Sequence, residues 1–202
     1  MKILMYCLLL LTLGVAQAQQ DPVQLRISAT KGNKTALQGL RTLAAEGNAS
    51  AQFNLGLMYY TGAGVPKDAV QAAAWFRKAA EQGHADAQWI LGVMYASGEG
   101  VPKDAVQAVA WYRKAADQGN ASAQSNLGLM YASGEGVPKD AVQAVAWFRK
   151  AAEQGDASAQ YMLGVMYYRG EGVPKDAVQS AAWYRKAAEQ GDAEAQRNVG
   201  LM

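Results

Sequence analysis

Four tryptophans set the limits on what this chain can become. Trp75, Trp111, Trp147 and Trp183 recur every 36 residues, as do Pro66, Pro102, Pro138 and Pro174, and Tyr59, Tyr95, Tyr131 and Tyr167. A period in the range of roughly 20–50 residues marks a stacked repeat, in which no unit can bury its apolar face without a neighbour. Four full units follow: 49–84, 85–120, 121–156 and 157–192. Residues 193–202 begin a fifth and supply its first helix only. Upstream, 19–48 form an N-terminal segment with a degenerate half-repeat that caps the array. There Lys31, Leu40, Arg41, Ala44 and Gly47 stand one period before Lys67, Phe76, Arg77, Ala80 and Gly83.

Each unit reads as two helices. In the second, Ala72, Trp75, Phe76, Ala79 and Ala80 fall at i, i+3, i+4, i+7 and i+8, the stripe of an amphipathic helix. Asp68 follows Pro66 as the expected N-cap, with Gln71 completing a capping-box pair, and Gly83 closes the helix. The first helix runs from Ala49 to Tyr60 with Ala51, Leu55 and Met58 on one side. Its N-cap position holds Asn48, His84, Asn120, Asp156 and Asp192 in turn. Gly56, Gly92, Gly128, Gly164 and Gly200 sit in its middle, where glycine costs about 1 kcal/mol relative to alanine. Close approach of the alanine-rich neighbouring helix is the expected compensation.

The strings Ala-Gln-x-x-Leu-Gly-x-Met-Tyr, Gly-x-Gly-Val-Pro-Lys-Asp and Ala-x-Trp-Tyr/Phe-Arg-Lys-Ala-Ala-Glu/Asp-Gln-Gly resemble the Sel1-like repeat family, a branch of the tetratricopeptide-type solenoids. The match covers essentially all of 49–202. What the resemblance implies is an all-α, right-handed α/α superhelical solenoid of 36-residue helix-turn-helix repeats, with first helices lining a concave face. It also implies an adaptor or scaffold for protein complexes.

Comparing the units with one another separates two faces of the first helix. In first-unit numbering, positions 51, 52, 56, 58 and 59 are identical throughout, and 55 changes only to Val199; positions 50, 53, 54, 57, 60 and 61 vary. At about 100° per residue the two sets fall on opposite sides. The variable side carries Phe53, Asn54 and Tyr60, then Trp89 and Ile90, Ser125 and Asn126, Tyr161, Met162, Tyr168 and Arg169, and Arg197. Rigid aromatics with arginine suit a binding surface rather than a solvated face, so these twelve residues are the expected contacts for a protein or extended peptide.

The opening Met1-Lys2, the apolar run to Val15 and Ala16-Gln17-Ala18 read as a signal peptide over 1–18, cut after Ala18. The run is short of the ~20 apolar residues that span a bilayer, and no membrane span is expected after cleavage. Cys7 lies within the leader, so the exported chain has no thiol chemistry. The full sequence holds 19 basic and 17 acidic residues, too balanced for nucleic acid to be the partner. His84, the single histidine, reads as a variant helix cap. Arg77 and Glu81, with their copies, read as surface ion pairs, and the glycine loops lack the Gly-Lys-Ser/Thr ending of a phosphate site. Basic ladders at Lys67, Arg77 and Lys78 read as solvated. Asn33, Asn48 and Asn120 begin formal N-glycosylation sequons, relevant only to a eukaryotic source.

A branch of the family linked to penicillin binding draws attention to Ser28-Ala29-Thr30-Lys31. Its companion motifs are missing, and so are that branch's cysteine pairs. The expectation is a non-enzymatic interaction scaffold of a bacterial periplasm or secreted fraction, with no cofactor, metal or catalytic residue. The alternatives are a cell-wall amide hydrolase acting through Ser28 and Lys31, and a purely structural spacer. A lone last helix should leave Ala195, Val199 and Met202 partly exposed.

Overall fold

The computed structural model describes residues 21–200. The proposed leader, Cys7 and Met202 lie outside the described residues. Within them all regular structure is helical: α1 (Pro22–Thr30), α2 (Lys34–Ala45), α3 (Ala49–Thr61), α4 (Ala69–Glu81), α5 (Ala85–Ser97), α6 (Ala105–Asp117), α7 (Ala121–Ser133), α8 (Ala141–Glu153), α9 (Ala157–Arg169), α10 (Ala177–Glu189) and α11 (Ala193–Gly200). The helix pairs α3/α4 through α9/α10 are the four units read from the spacing. α2 is the second helix of the worn half-repeat, and α11 opens the fifth unit. α1 was not anticipated. It starts at Asp21, whose side chain accepts from the Val23 N–H, with Pro22 in the first turn.

The chain divides into two compact units. One runs through Ala87 and takes in Glu99–Val101; the other comprises Gln88–Gly98 and the residues from Pro102 onward. The first is built on Leu40, Leu55 and Met58 among Ala29, Ala36, Ala44 and Ala51, all buried. The second packs Tyr112, Leu127, Phe148, Leu163 and Met166 within a lattice of buried alanines.

The glycines of the first helices explain the register of each pair. An added Cβ at Gly56 would lie 2.8 Å from the Phe76 ring, at Gly92 2.6 Å from Tyr112, at Gly128 2.7 Å from Phe148 and at Gly164 2.6 Å from Tyr184. The expected alanine neighbour is therefore replaced by an aromatic ring of the second helix, packed into the space that a side chain at the glycine would fill. Phe76 and Phe148 are fully buried there. Each ring contributes the dispersion and apolar burial of a core phenylalanine, whose loss costs about 3–5 kcal/mol, and this exceeds the helix penalty of the glycine. Ser180 tightens the last full pair by donating from Oγ to the Gly164 carbonyl at 2.8 Å.

The turns and caps follow the sequence with one change. Asp68, Asp104, Asp140 and Asp176 cap the second helices through their side chains. The backbone N–H of each, however, donates to the tyrosine carbonyl at the end of the preceding first helix, as in Asp140 N to Tyr131 O at 2.9 Å. The reciprocal arm of a capping box is thus taken by an otherwise orphaned helix C-terminus. Gly136 needs its positive φ of 72°, and a side chain there would collide with the Ala105 carbonyl of the preceding unit.

Position 52 is constant because of a clamp that sequence reasoning left without a cause. Gln124 is 4% exposed. Its Nε2 donates to the Ala116 carbonyl at 3.1 Å, and its Oε1 accepts from Gln154 Nε2 at 2.7 Å. One side chain thereby ties the ends of α6 and α8 to the start of α7. Gln160 repeats this with Ala152 and Gln190, and Gln52 with Ala44 and Gln82.

The last helix departs from expectation at one residue: Ala195 is fully buried against Tyr184 and Ala187, whereas Val199, packed on the same cluster, stays partly exposed as expected.

Gly128→Ala should lower stability by about 1–3 kcal/mol through overpacking against Phe148, although alanine alone would favour the helix by about 1 kcal/mol. Urea unfolding measures it, and an unchanged or raised midpoint would contradict the ring-on-glycine account.

Candidate functional site

In the first unit, the three expected contact residues are already engaged. Phe53 stacks on His84 with ring centroids 4.4 Å apart and tilts against Phe76 at 5.8 Å. Asn54 is 3% exposed; its Oδ1 accepts from Arg26 Nε at 2.7 Å and its Nδ2 donates to the Ser50 carbonyl at 2.8 Å. Tyr60 meets Phe76 edge-on, and its hydroxyl donates to Glu99 Oε2 at 3.1 Å. Burial first, then the Glu99 carboxylate, pushes the Tyr60 hydroxyl above its ordinary range. Asn54 is thus a packing residue that fixes α1 to α3.

In the second unit, the expected residues split by depth. Ser125 is 4% exposed, which removes it from reach of a partner. Trp89, Ile90, Asn126, Tyr161 and Met162 are half-buried. The Trp89 ring packs against the core, and its Nε1 is buried without a hydrogen-bond partner. Tyr161 tilts on Tyr184 at 5.6 Å. Tyr168 stands 52% exposed, with Lys175 over its ring at 5.4 Å. Arg169 pairs with Glu171 at 3.8 Å, and Arg197 pairs with Glu194. One residue was missed: Leu129, on α7 between Ser125 and Ala132, is 43% exposed. Its position alternates only between leucine and valine, so variability gave it no prominence.

Part of the variable face is variable for a packing reason. Tyr112 lies on Gly92 and its hydroxyl is hydrogen-bonded by the Asn126 side chain; burial raises the Tyr112 hydroxyl and this bond opposes the rise. Fourteen residues after each ring, the sequence pairs Tyr112 with Asn126 and Tyr184 with Asn198, but Phe76 with Ile90 and Phe148 with Met162. A hydroxyl is matched by an amide and a bare ring by an apolar side chain. Asn126, a copy of position 54, is thereby tied to the preceding second helix, whereas Asn54 itself answers Arg26.

His84 stands as the expected variant cap, its Nδ1 accepting from the Ala87 N–H at 3.4 Å. Burial lowers its pKa, with Asp86 pulling the other way. The Ser28-to-Lys31 string closes α1: the Lys31 N–H donates to the Ser28 carbonyl, and the Lys31 side chain is exposed. The surface ion pairs are drawn differently from the expectation. Arg113 donates to the Tyr131 hydroxyl, and Arg149 to Tyr167 at 2.7 Å. Ion pairs instead join turns one unit apart, Lys67 with Glu99 at 3.4 Å and Lys103 with Glu135 at 3.5 Å. The basic ladder is not merely solvated either, since Lys78, Lys114, Lys150 and Lys186 sit 4.0–4.2 Å over the tryptophan rings of their own helices. Among the described residues no helix is long and apolar enough to cross a membrane.

Two outcomes follow from these contacts. In a double-mutant cycle by urea unfolding, Tyr112→Phe and Asn126→Met should each destabilise, and the double variant should recover about 1 kcal/mol of the summed loss; strict additivity would break the proposed coupling. For His84, a lowered folded-state pKa means its contribution is intact above the unfolded value of about 6.5 and is lost as pH falls below it. Melting curves from pH 7.5 to 5 should therefore drop more for the native chain than for His84→Asn, by about 2 °C. Parallel curves would refute this.

The profile of the family described as Sel1 repeat matches residues 49–84, 85–120, 121–156 and 157–192, the same four units. Among solved structures, the chain is similar to c5321, a protective antigen of uropathogenic Escherichia coli strains with an SLR fold. That likeness has 49% identity and a TM-score of 0.80, over 82% of this chain and 36% of the antigen. The chain thus spans about a third of the antigen's length. A Sel1 repeat protein from Oxalobacter formigenes matches at 38% identity and a TM-score of 0.79, over 91% of this chain and 76% of that one. The cysteine-rich protein B of Helicobacter pylori, at 24% identity and a TM-score of 0.53 over 67% and 96%, shares the fold. No curated protein matches the chain. Proteins of this repeat class generally mediate protein–protein interactions and are generally not enzymes. On the four matched repeats, the chain belongs to the Sel1 repeat family.

Proposed function

We propose that this chain is a non-catalytic scaffold or adaptor, exported by a bacterium to the periplasm or beyond, that binds a protein or extended peptide on the concave face lined by its first helices. The observation that carries the reading is the exposure of Leu129 and Tyr168 on α7 and α9, 43% and 52%, on a face where the fold ties down most neighbouring residues. Exposed apolar side chains that packing does not demand are what an interaction surface requires. Export rests on the leader pattern of residues 1–18, and the similarity to a protective antigen supports it.

A rival surface exists on the second helices, where Val106, Val142 and Val178 are 63–78% exposed. Each stands two residues after a capping aspartate that itself follows a lysine, so charge surrounds it, whereas Leu129 has the uncharged Ser125 and Ala132 along its own stripe.

The test uses residues 19–202 as bait for envelope proteins of the source organism, beside a Leu129→Ser, Tyr168→Ala bait of matched helicity and melting temperature. Trp89 is left unchanged because its ring is part of the packing. Partners held by the native bait should fall at least fivefold with the variant. Equal recovery by both baits, together with loss on Val142→Ser, would move the function to the second-helix surface.

A further inference from the structure

We propose that the trough between α1 and α2 receives a tryptophan side chain of a partner protein, seated where the worn half-repeat holds Gly39 in place of the tryptophan of every full unit. The site lies apart from the first-helix face and does not depend on it.

The register shows the exchange. Trp75, Trp111, Trp147 and Trp183 stand one to four periods after Gly39. The residues around Gly39 keep the pattern, since Ala36, Leu40 and Ala44 of α2 are buried at the positions of Ala72, Phe76 and Ala80. In the full units the tryptophan meets the second helix before its own. Trp75 packs on the cluster that holds Leu40 and Ala44 of α2, and Trp183 shares a cleft with Arg149 of α8. At Gly39 the preceding helix is α1. The nearest group there is Leu25, whose Cδ2 lies 3.5 Å from the place of an added Cβ, an ordinary contact. The first-helix glycines have rings 2.6–2.8 Å from the same point. No described neighbour comes close enough to require a glycine at position 39. Glycine weakens the interior of a helix, and at Gly39 the packing gives nothing in return.

The place of the missing ring is open. Two cavities of about 530 and 360 Å³ adjoin there and share Leu25, Thr35 and Gly39 in their walls. Each lies within the roughly 300–1,000 Å³ of small-molecule sites. Leu25, Ala36 and Gly39 give an apolar bed, and Gln24, Ser28 and Gln38 bring amide and hydroxyl oxygens to the walls. An indole matches both parts, with a flat apolar ring and a single N–H that needs an acceptor.

The charges exclude the ionic alternatives. In the full units a lysine lies 4.0–4.2 Å over each tryptophan ring. Thr42 takes that position in α2, and its Oγ1 donates to the Gln38 carbonyl at 3.1 Å. Among the described residues lining the two cavities none is Lys or Arg, and Glu46 alone is charged. An anionic ligand would therefore lose water and meet no counter-ion. An aliphatic side chain would cover the bed but offer the wall oxygens no donor. Tryptophan is, besides, one of the side chains that most often anchor an interface.

The probe is N-acetyl-L-tryptophanamide, titrated into the isotope-labelled chain of residues 19–202 and followed by backbone amide shifts. Saturable shifts should appear in α1 and α2, and N-acetyl-L-leucinamide should bind at least fivefold more weakly. Gly39→Trp, which restores the residue of the other units, should weaken binding at least tenfold. Thr35→Tyr, which fills the same cavities from an exposed position, should do the same and carries the test if Gly39→Trp unfolds the chain. Leu129→Ser should leave the affinity unchanged. Shifts on the first helices that vanish with Leu129→Ser and survive Gly39→Trp overturn the inference and assign the indole to the concave face. No saturation, equal binding of the leucine amide, or binding that survives both α2 variants also overturns it, and leaves the concave-face reading where it stood.

Discussion

Everything in a repeat of this chain is set by an aromatic ring resting on a glycine. Phe76 on Gly56, Tyr112 on Gly92, Phe148 on Gly128 and Tyr184 on Gly164 fix the distance and the register of each helix pair, because a Cβ at the glycine would have no room. The alanines around the rings follow, since small residues let the paired backbones close on a flat ring. At Tyr112 the ring reaches one helix further, through the bond between its hydroxyl and the Asn126 side chain fourteen residues on. A fold that looks like a simple tandem copy is thus threaded by a contact that distinguishes neighbouring copies.

The polar groups are spent on holding helix ends. Buried glutamines bind the last carbonyls of the preceding second helix, aspartates cap the next one, and the aspartate N–H groups close the first helices. Most charged side chains lie on the turns and second helices, where turn-to-turn pairs such as Lys103 with Glu135 are exposed and worth at most about 1 kcal/mol each. This division leaves Leu129 and Tyr168 on the second unit's first helices outside the contacts that hold helix ends, although Arg169 and Arg197 bring charge to the same set of positions. The scaffold reading rests on that residual freedom, which makes Leu129 and Tyr168 more informative than the larger but internally engaged Phe53 and Trp89.

The repeat boundaries, the helix pairs, the caps and the role of His84 were legible in the sequence because they depend on local spacing and local chemistry. The reason for the mid-helix glycines was not, because the ring that meets each one lies twenty residues away. α1 escaped because its apolar residues form no clear stripe, and only Asp21-Pro22 signals it. The variable face was legible as a set but not in depth. Asn54 and Ser125 vary like surface residues yet are buried. Asn54 answers Arg26 of a helix that the periodicity did not reveal, and Asn126 answers Tyr112. Leu129 was passed over for the opposite reason, since a position that stays aliphatic reads as core. In place of the ion pairs expected within their own helices, Arg113 and Arg149 donate to a tyrosine hydroxyl of the next repeat, a partner the helical spacing does not reveal.

The central claim is that the exposed stripe of the first helices, and not the valine row of the second, is where a partner sits. Site-specific photo-crosslinking in the source organism tests it most directly, with a photoreactive side chain installed at position 129 or, separately, at position 142. The account predicts a discrete higher-mass adduct from position 129 and none from position 142. An adduct from position 142 alone would contradict it.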